Sequence, residues 1–145
     1  MSDLNRPSWD SVWMETARTI SQRSCDPRHR VGAIVVTSDN TQVLSVGYNG
    51  NYTGGPNEVE SERPGESGFL HAEVNCLLKM DYNNPKRKVM YVTLSPCRMC
   101  AKAIVNAGIN EVVYGEEYRD VSGLEILMSA GVIVRGQHCN KVGID

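Results

Sequence analysis

The sequence predicts an α/β protein: a three-layer α/β/α sandwich on a mixed five-stranded sheet. Three observations carry this. Two β-branched apolar runs, Val31 to Thr37 and Val43 to Tyr48, flank the turn residues Ser38, Asp39 and Asn40, the pattern of an antiparallel hairpin. From Val89 onward, strand and helix patterns alternate, which implies parallel strands joined by right-handed crossover helices. A helical repeat ahead of the hairpin supplies a further helix, so that helices lie on both faces of the sheet.

The first helix starts at Ser8, whose hydroxyl suits an N-cap, with Asp10 in the first turn. Trp9, Val12, Trp13, Thr16, Ala17 and Ile20 recur at helical spacing and form one apolar face. Both tryptophans read as core or subunit contact rather than as a ligand platform. Arg23 to Arg30 is a polar connection with three Arg and one His. It is open to two readings, a solvated loop or an anion site built on the planar guanidinium fork. After the hairpin, Gly47-Tyr48-Asn49-Gly50 ends the second strand, and Asn49-Gly50 is a common turn dipeptide.

Asn51 to Leu70 is a long polar segment with four Glu and one Arg, a net charge of −3, and with four Gly and two Pro. Its length inside a compact domain marks either a functional loop, such as a lid or effector contact, or a loose surface loop. His71 opens a second helix through Val74, Leu77 and Leu78. Tyr82 to Lys88 is a turn-rich basic connection, and Val89 to Leu94 is a strand. Ser95 as N-cap and Pro96 at the first helical position predict a helix that runs through Ala101, Ile104 and Val105 and stops at Gly108. Glu111 to Tyr114 is the fourth strand. Ser122 to Glu125 reads as a capping box for a helix ending near Gly131, and Val132 to Arg135 is the last strand.

The 145 residues suit a single catalytic domain, residues 1–145, with an ordinary share of hydrophobic (41%) and charged (22%) side chains. The net charge of −2 argues against a protein whose main task is gripping nucleic acid. The polar stretch Met1 to Pro7 lacks the apolar core of a signal peptide, and no apolar run approaches the ~18 residues of a membrane span. The five cysteines do not form a disulfide framework, so a reducing, cytoplasmic setting is expected.

Two stretches carry the chemistry, His71-Ala72-Glu73 and Pro96-Cys97-Arg98-Met99-Cys100. His71, Cys97 and Cys100 make three zinc ligands, and three protein ligands with one open position describe a catalytic rather than a structural zinc. Cys97 and Cys100 share one side of a helix turn. His71 and Glu73 can share a site only at a helix start, where the free N–H groups also favour an ionised Glu73. Glu73 then stands as the proton carrier beside a zinc-activated water. His138-Cys139 has no partner spacing for a second metal.

H-x-E followed by P-C-x-x-C is the signature of zinc-dependent nucleobase deaminases. The resemblance narrows further on Ser8-Trp9-Asp10 with Met14, Arg23-Ser24, Val31-Gly32-Ala33, Gly47-Tyr48-Asn49-Gly50, His71 to Asn75, Tyr91 to Cys97, Cys100 to Ile104, Ala107 to Ile109, and Tyr118. On these the chain, nearly from end to end, resembles the deoxycytidylate (dCMP) deaminases, and its compact length suits a bacterial or phage member. The resemblance implies a cytidine-deaminase-like fold and hydrolysis of dCMP to dUMP and ammonia, which feeds thymidylate synthesis. It implies that Ala72 and Asn49 contact the substrate, Asn49 through the deoxyribose hydroxyl. Ser95 offers a carbonyl to the amino group, Ser24 and Arg28 take the phosphate, and Tyr118 lies over base or phosphate. It also implies a homohexamer activated by dCTP with Mg²⁺ and inhibited by dTTP. Many relatives carry Cys or His for a second zinc after Gly-Tyr-Asn-Gly, whereas Asn51 to Leu70 has neither, so one Zn²⁺ per chain is expected.

Three rivals share parts of the pattern. A tRNA adenosine deaminase shares His-Ala-Glu and Pro-Cys-x-Met-Cys but needs a basic RNA-binding surface. A riboflavin-pathway deaminase spaces its cysteines more widely. A zinc-stabilised binding module needs a fourth protein ligand.

Overall fold

The computed structural model describes residues 5–137. Four helices and five strands follow in the order α1 (Trp9–Ser21), β1 (Gly32–Thr37), β2 (Val43–Tyr48), α2 (Ala72–Leu78), β3 (Lys88–Leu94), α3 (Arg98–Asn106), β4 (Glu111–Glu116), α4 (Ser122–Ser129) and β5 (Ile133–Gly136). The sheet order is β2-β1-β3-β4-β5. β1 runs antiparallel to β2 and β3, while β3, β4 and β5 are parallel, so the sheet is mixed, as the sequence predicts.

β1 is buried at every position because both of its faces are covered. Ile34 and Val36 join Met14, Ala17, Val89, Tyr91 and Val113 in the core beneath α1. Ala33 and Val35 join Ala72, Cys76, Leu77, Met90, Val92, Ile104, Val112 and Leu127 in the larger core beneath α2, α3 and α4. A polar cluster also ties α1 to the sheet. Asp10 accepts from the Tyr91 hydroxyl (2.6 Å) and from Arg135 Nη1 (2.7 Å), and Arg135 also pairs with Glu111.

Ser8 caps α1 as expected, its Oγ accepting from Ser11 N at 3.1 Å. The tryptophans divide: Trp13 packs on the core and donates from Nε1 to Asn40 Oδ1 (2.9 Å), while Trp9 stacks on Trp13 and stays half exposed. Two helix starts differ from the sequence reading. α3 begins two residues later, capped by Cys97 rather than Ser95, because Cys97 Sγ takes the Cys100 N–H (3.4 Å) and Ser95 Oγ is engaged by Tyr118 N (2.7 Å). α4 has no capping box: its N-cap is Val121, and Asp120 accepts the Ser122 N–H (2.9 Å). No helix among the described residues is long and apolar enough to cross a membrane. His138 and Cys139 lie outside the described residues.

Candidate active site

Topology gathers the chemistry at one end of the sheet. β3 and β4 run in parallel and finish at that end, β2 finishes there, and the antiparallel β1 starts there, with Gly32 paired to Tyr48. The segments leaving or entering those strand ends carry Asp26 to Val31, Asn49, Leu94 to Cys97, and Tyr118. α2 also starts there, anchored by the Gly50–Leu70 bridge. Crevices beyond the carboxyl ends of parallel strands are where α/β sheets bind ligands.

His71 is the extended N-cap of α2 and Cys97 the extended N-cap of α3. Their ligand atoms and Cys100 Sγ all lie within 4.8 Å of one another. His71 Nδ1 is 3.2 Å from Cys100 Sγ and 3.6 Å from Cys97 Sγ. Zinc bonded to one imidazole and two thiolates at its usual lengths sets N···S separations of about 3.5 Å in a tetrahedron. The donor set therefore fits zinc, with three protein ligands among the described residues. Close packing fixes both ligand-bearing helices. At Gly47 of β2 any Cβ would stand 2.5 Å from Cys76 N and 2.7 Å from Ala72 O of α2. At Gly123 of α4 a Cβ would stand 2.9 Å from the Cys97 carbonyl group.

The thiol of Cys97 is strongly acidified, to a pKa of about 3, first by the hydrogen bond from Cys100 and then by His71. The Cys100 thiol is pushed up by that same bond and by burial, and His71 is raised mainly by its bond to Cys97. The protein groups thus share protons among themselves, and a dication would displace them, since ligation favours thiolates and neutral imidazole. Glu73, in the first turn of α2, is 4% exposed and lines the cavity. Burial pushes its carboxyl up to a pKa of about 7, opposed in part by its own backbone N–H and by His71. A pKa near neutrality suits a group that must accept and return a proton.

The cavity has a volume of about 470 Å³. Its walls include His71, Ala72, Glu73, Cys97, Ser95, Leu94 and Tyr118 together with Arg28 and Asn49. Ser24 is not on the wall. Its buried hydroxyl donates to Asn49 O (2.8 Å) and accepts from Asp26 N (3.1 Å). The Asn49 side chain reaches the cavity but is heavily engaged by protein. Nδ2 donates to His29 O (2.8 Å) and Asp26 Oδ2 (3.3 Å), and Oδ1 accepts from Val31 N (2.9 Å). Part of the long loop forms a wall of the cavity, as its reading as a lid expects: Val59, Ser61, Glu62, Arg63, Gly65, Ser67 and Phe69 all line it. Arg28 Nη2 donates to Glu62 O of that lid at 2.7 Å. Sequence reasoning passed over Asp26, His29, Arg63 and Phe69 as site residues. The signal for Asp26 was the Asp-Pro pair two residues before Arg28, a turn former whose carboxylate binds backbone N–H groups.

Comparison with known proteins agrees with this geometry. Residues 7–116 match the family model of the cytidine and deoxycytidylate deaminase zinc-binding region. The human deoxycytidylate deaminase is 35% identical over 152 residues, covering 94% of this chain and 85% of its own. The Saccharomyces cerevisiae deoxycytidylate deaminase is 35% identical over 93% of this chain, which spans 46% of the yeast protein. The crystal structure of dCMP deaminase from the cyanophage S-TIM5 in complex with dCMP and dUMP superposes with a TM-score of 0.75 at 35% identity, covering 90% of this chain and 98% of the other. Five strands in mixed order, a His/Cys/Cys triad at two helix starts and a buried glutamate beside it are thus accompanied by end-to-end similarity, and the chain belongs to the cytidine and deoxycytidylate deaminase family of hydrolytic deaminases.

Proposed function

We propose that the chain hydrolyses dCMP to dUMP and ammonia, with one zinc ion held by His71, Cys97 and Cys100. One observation supports this most. A single cavity is walled by His71 and Cys97, two of three clustered metal donors, and by the buried carboxyl of Glu73, and its walls also include Arg28, His29 and Arg63. That combination suits a small substrate with a polar ring at one end and an anion at the other. Relatives whose names state deoxycytidylate as substrate, and the cyanophage enzyme holding dCMP and dUMP, support the same choice.

When bound, zinc supplies a Lewis acid that lowers the pKa of water toward neutrality. Adding water across a ring C–N bond and releasing ammonia requires one group that first accepts a proton and later gives it up. Glu73 meets that need by its position, buried in the first turn of α2 and on the cavity wall. It takes one proton of the water and passes it to the ring nitrogen as the oxygen adds to the ring carbon, then takes the second from the hydroxyl so formed and delivers it to the amine, which leaves as ammonia while the C–N bond breaks and the carbonyl forms. The Ser95 carbonyl accepts from the exocyclic amine. Ala72 and Phe69 are buried and give the same cavity apolar wall. Asn49 neighbours the sugar, Tyr118 lies across the substrate from the lid, and Arg28 with Ser24 serves the phosphate, Ser24 from behind the cavity wall. The reading extends to a hexamer activated by dCTP with Mg²⁺ and inhibited by dTTP.

Ammonia release from dCMP, CMP, dCTP, deoxycytidine and an adenosine-bearing tRNA anticodon stem, each with and without dCTP–Mg²⁺ or dTTP, tests the reading. Turnover is expected on dCMP above all others. Equal rates on deoxycytidine and dCMP would remove the phosphate role, and preference for the RNA would replace the reading with the adenosine one.

A further inference from the structure

We infer that Asp26 is a positioning residue that sets nucleotide preference by holding the Arg28–His29 turn open toward the cavity. The inference rests on the nucleotide reading above. Asp26 is 9% exposed and lines the cavity, yet its carboxylate is turned onto the backbone. Oδ1 accepts from the N–H of Arg28 (2.7 Å) and of His29 (3.1 Å). Oδ2 accepts from Asn49 Nδ2 (3.3 Å). Pro27, between them, has no N–H to compete and a fixed φ. The turn is then closed from below: Asn49 Nδ2 holds His29 O, Asn49 Oδ1 holds Val31 N, and Ser24 Oγ ties Asp26 N to Asn49 O.

The physical need for such a clamp is plain. Arg28, His29 and Arg30 are consecutive, and Arg63 enters the same cavity from the lid. Like charges crowded on a short loop drift apart into solvent unless the backbone is fixed. A free carboxylate here would repel a phosphate. Asp26 instead directs its oxygens at N–H groups, so its charge is spent inside the turn while the side chains of residues 28 and 29 line the cavity. Asn49 and Ser24 take part in this clamp through bonds to the protein itself, which gives them a second reason to occupy their positions.

The test compares three single variants of the full chain with zinc bound, reading KM and kcat for dCMP and zinc content. D26E keeps the charge but moves the acceptor by one methylene, into space the cavity provides. D26N keeps a neutral acceptor for both N–H groups but puts an NH2 group where Oδ2 accepts from Asn49 Nδ2, so it loses one of the three bonds. R28A reports on the phosphate reading itself. D26E is expected to raise KM about tenfold at unchanged kcat and full zinc content, D26N to raise it by a smaller factor because both backbone bonds survive, and R28A to raise KM at least as much as D26E. R28A with an unchanged KM overturns the nucleotide reading and the inference with it. R28A impaired with D26E at wild-type KM overturns the inference alone. D26E losing zinc and kcat together makes Asp26 a purely structural residue and also overturns it.

Discussion

Replacing Gly47 with alanine tests whether the chemistry depends on how closely α2 lies on β2. Gly47 does not have a left-handed φ, so alanine fits its backbone and the only cost is space. The new methyl would stand 2.5 Å from Cys76 N, 2.7 Å from Ala72 O and 2.9 Å from Cys76 Cα. All three are backbone atoms of α2, so no side chain can rotate away. Ordinary contact for a carbon begins near 3.5 Å, so the helix must retreat by about 1 Å. Overpacking of this kind costs about 1–3 kcal/mol, offset by about 0.4–1 kcal/mol from a stiffer unfolded chain. The net loss expected on thermal or urea unfolding is therefore about 1–2 kcal/mol. The larger effect is at the metal. α2 carries His71 and Glu73, whereas Cys97 and Cys100 belong to α3 and stay behind. Zinc sites tolerate only about 0.2 Å of misplacement, so zinc affinity, read by competition with a chromophoric chelator, should fall roughly 10–100-fold. Met14→Ala is the control: it empties a fully buried site beneath α1, on the opposite face, and costs about 2–5 kcal/mol without moving either ligand helix. Wild-type zinc affinity in Gly47→Ala, or an equal loss in Met14→Ala, would refute the argument.

Glu73→Gln should retain stoichiometric zinc and a folded core while turnover falls by about 10²–10⁴-fold, measured by metal analysis and ammonia release; a near-normal rate or lost zinc defeats the proton-carrier role. Removing zinc with a chelator should abolish turnover and lower the melting temperature, and added zinc should restore both; activity that survives complete removal contradicts the metal assignment. Asp10→Asn probes the α1 anchor. Hydrogen bonds from Arg135 and then Tyr91 hold the Asp10 carboxyl below its usual pKa, against the opposing effect of burial. A depressed pKa gives stability that is present above the unfolded value near ~3.9 and is lost as pH falls through the folded value. The variant should therefore be less stable than wild type at neutral pH, by about 1 kcal/mol for so exposed a pair, with the gap closing below about pH 4. A gap that persists at pH 3 means that packing, not charge, is what Asp10 contributes.

The fold was legible because its signals are local and repeated. The apolar runs of β1 and β2, capping at Ser8, and the strand-helix alternation after Val89 each specify an element without help from the rest of the chain. The two misplaced helix starts have different causes. Ser95 and Ser122 look like caps in sequence, but at Ser95 a tertiary partner intervenes, Tyr118 N lying 2.7 Å from its Oγ, and at Ser122 a nearer local acceptor does, Asp120 taking the Ser122 N–H. A cysteine is seldom read as a cap, yet Cys97 fills that place, so that one residue both starts α3 and turns its sulfur toward the other two metal donors.

The site divides along the same line. His71, Glu73, Cys97 and Cys100 were legible because metal chemistry demands those residue types at those spacings, and the structure brings them to one point. The other end of the cavity was legible only in part, because anion recognition has no fixed spacing and draws on segments far apart in the chain. Total charge also misleads there. The chain carries −2 and the lid segment −3, figures that argue against a nucleic-acid surface yet say nothing of a single phosphate. The fold resolves this by sorting charge rather than adding it. Arg63 is the one cation of an acidic lid and it lines the cavity, where Arg28 and His29 also stand. Asp26, which lines the cavity beside them, has its carboxylate turned onto backbone N–H groups. An acidic protein can thus present a basic pocket to one small anion, and the residues that make this possible are those whose side chains bind the chain itself.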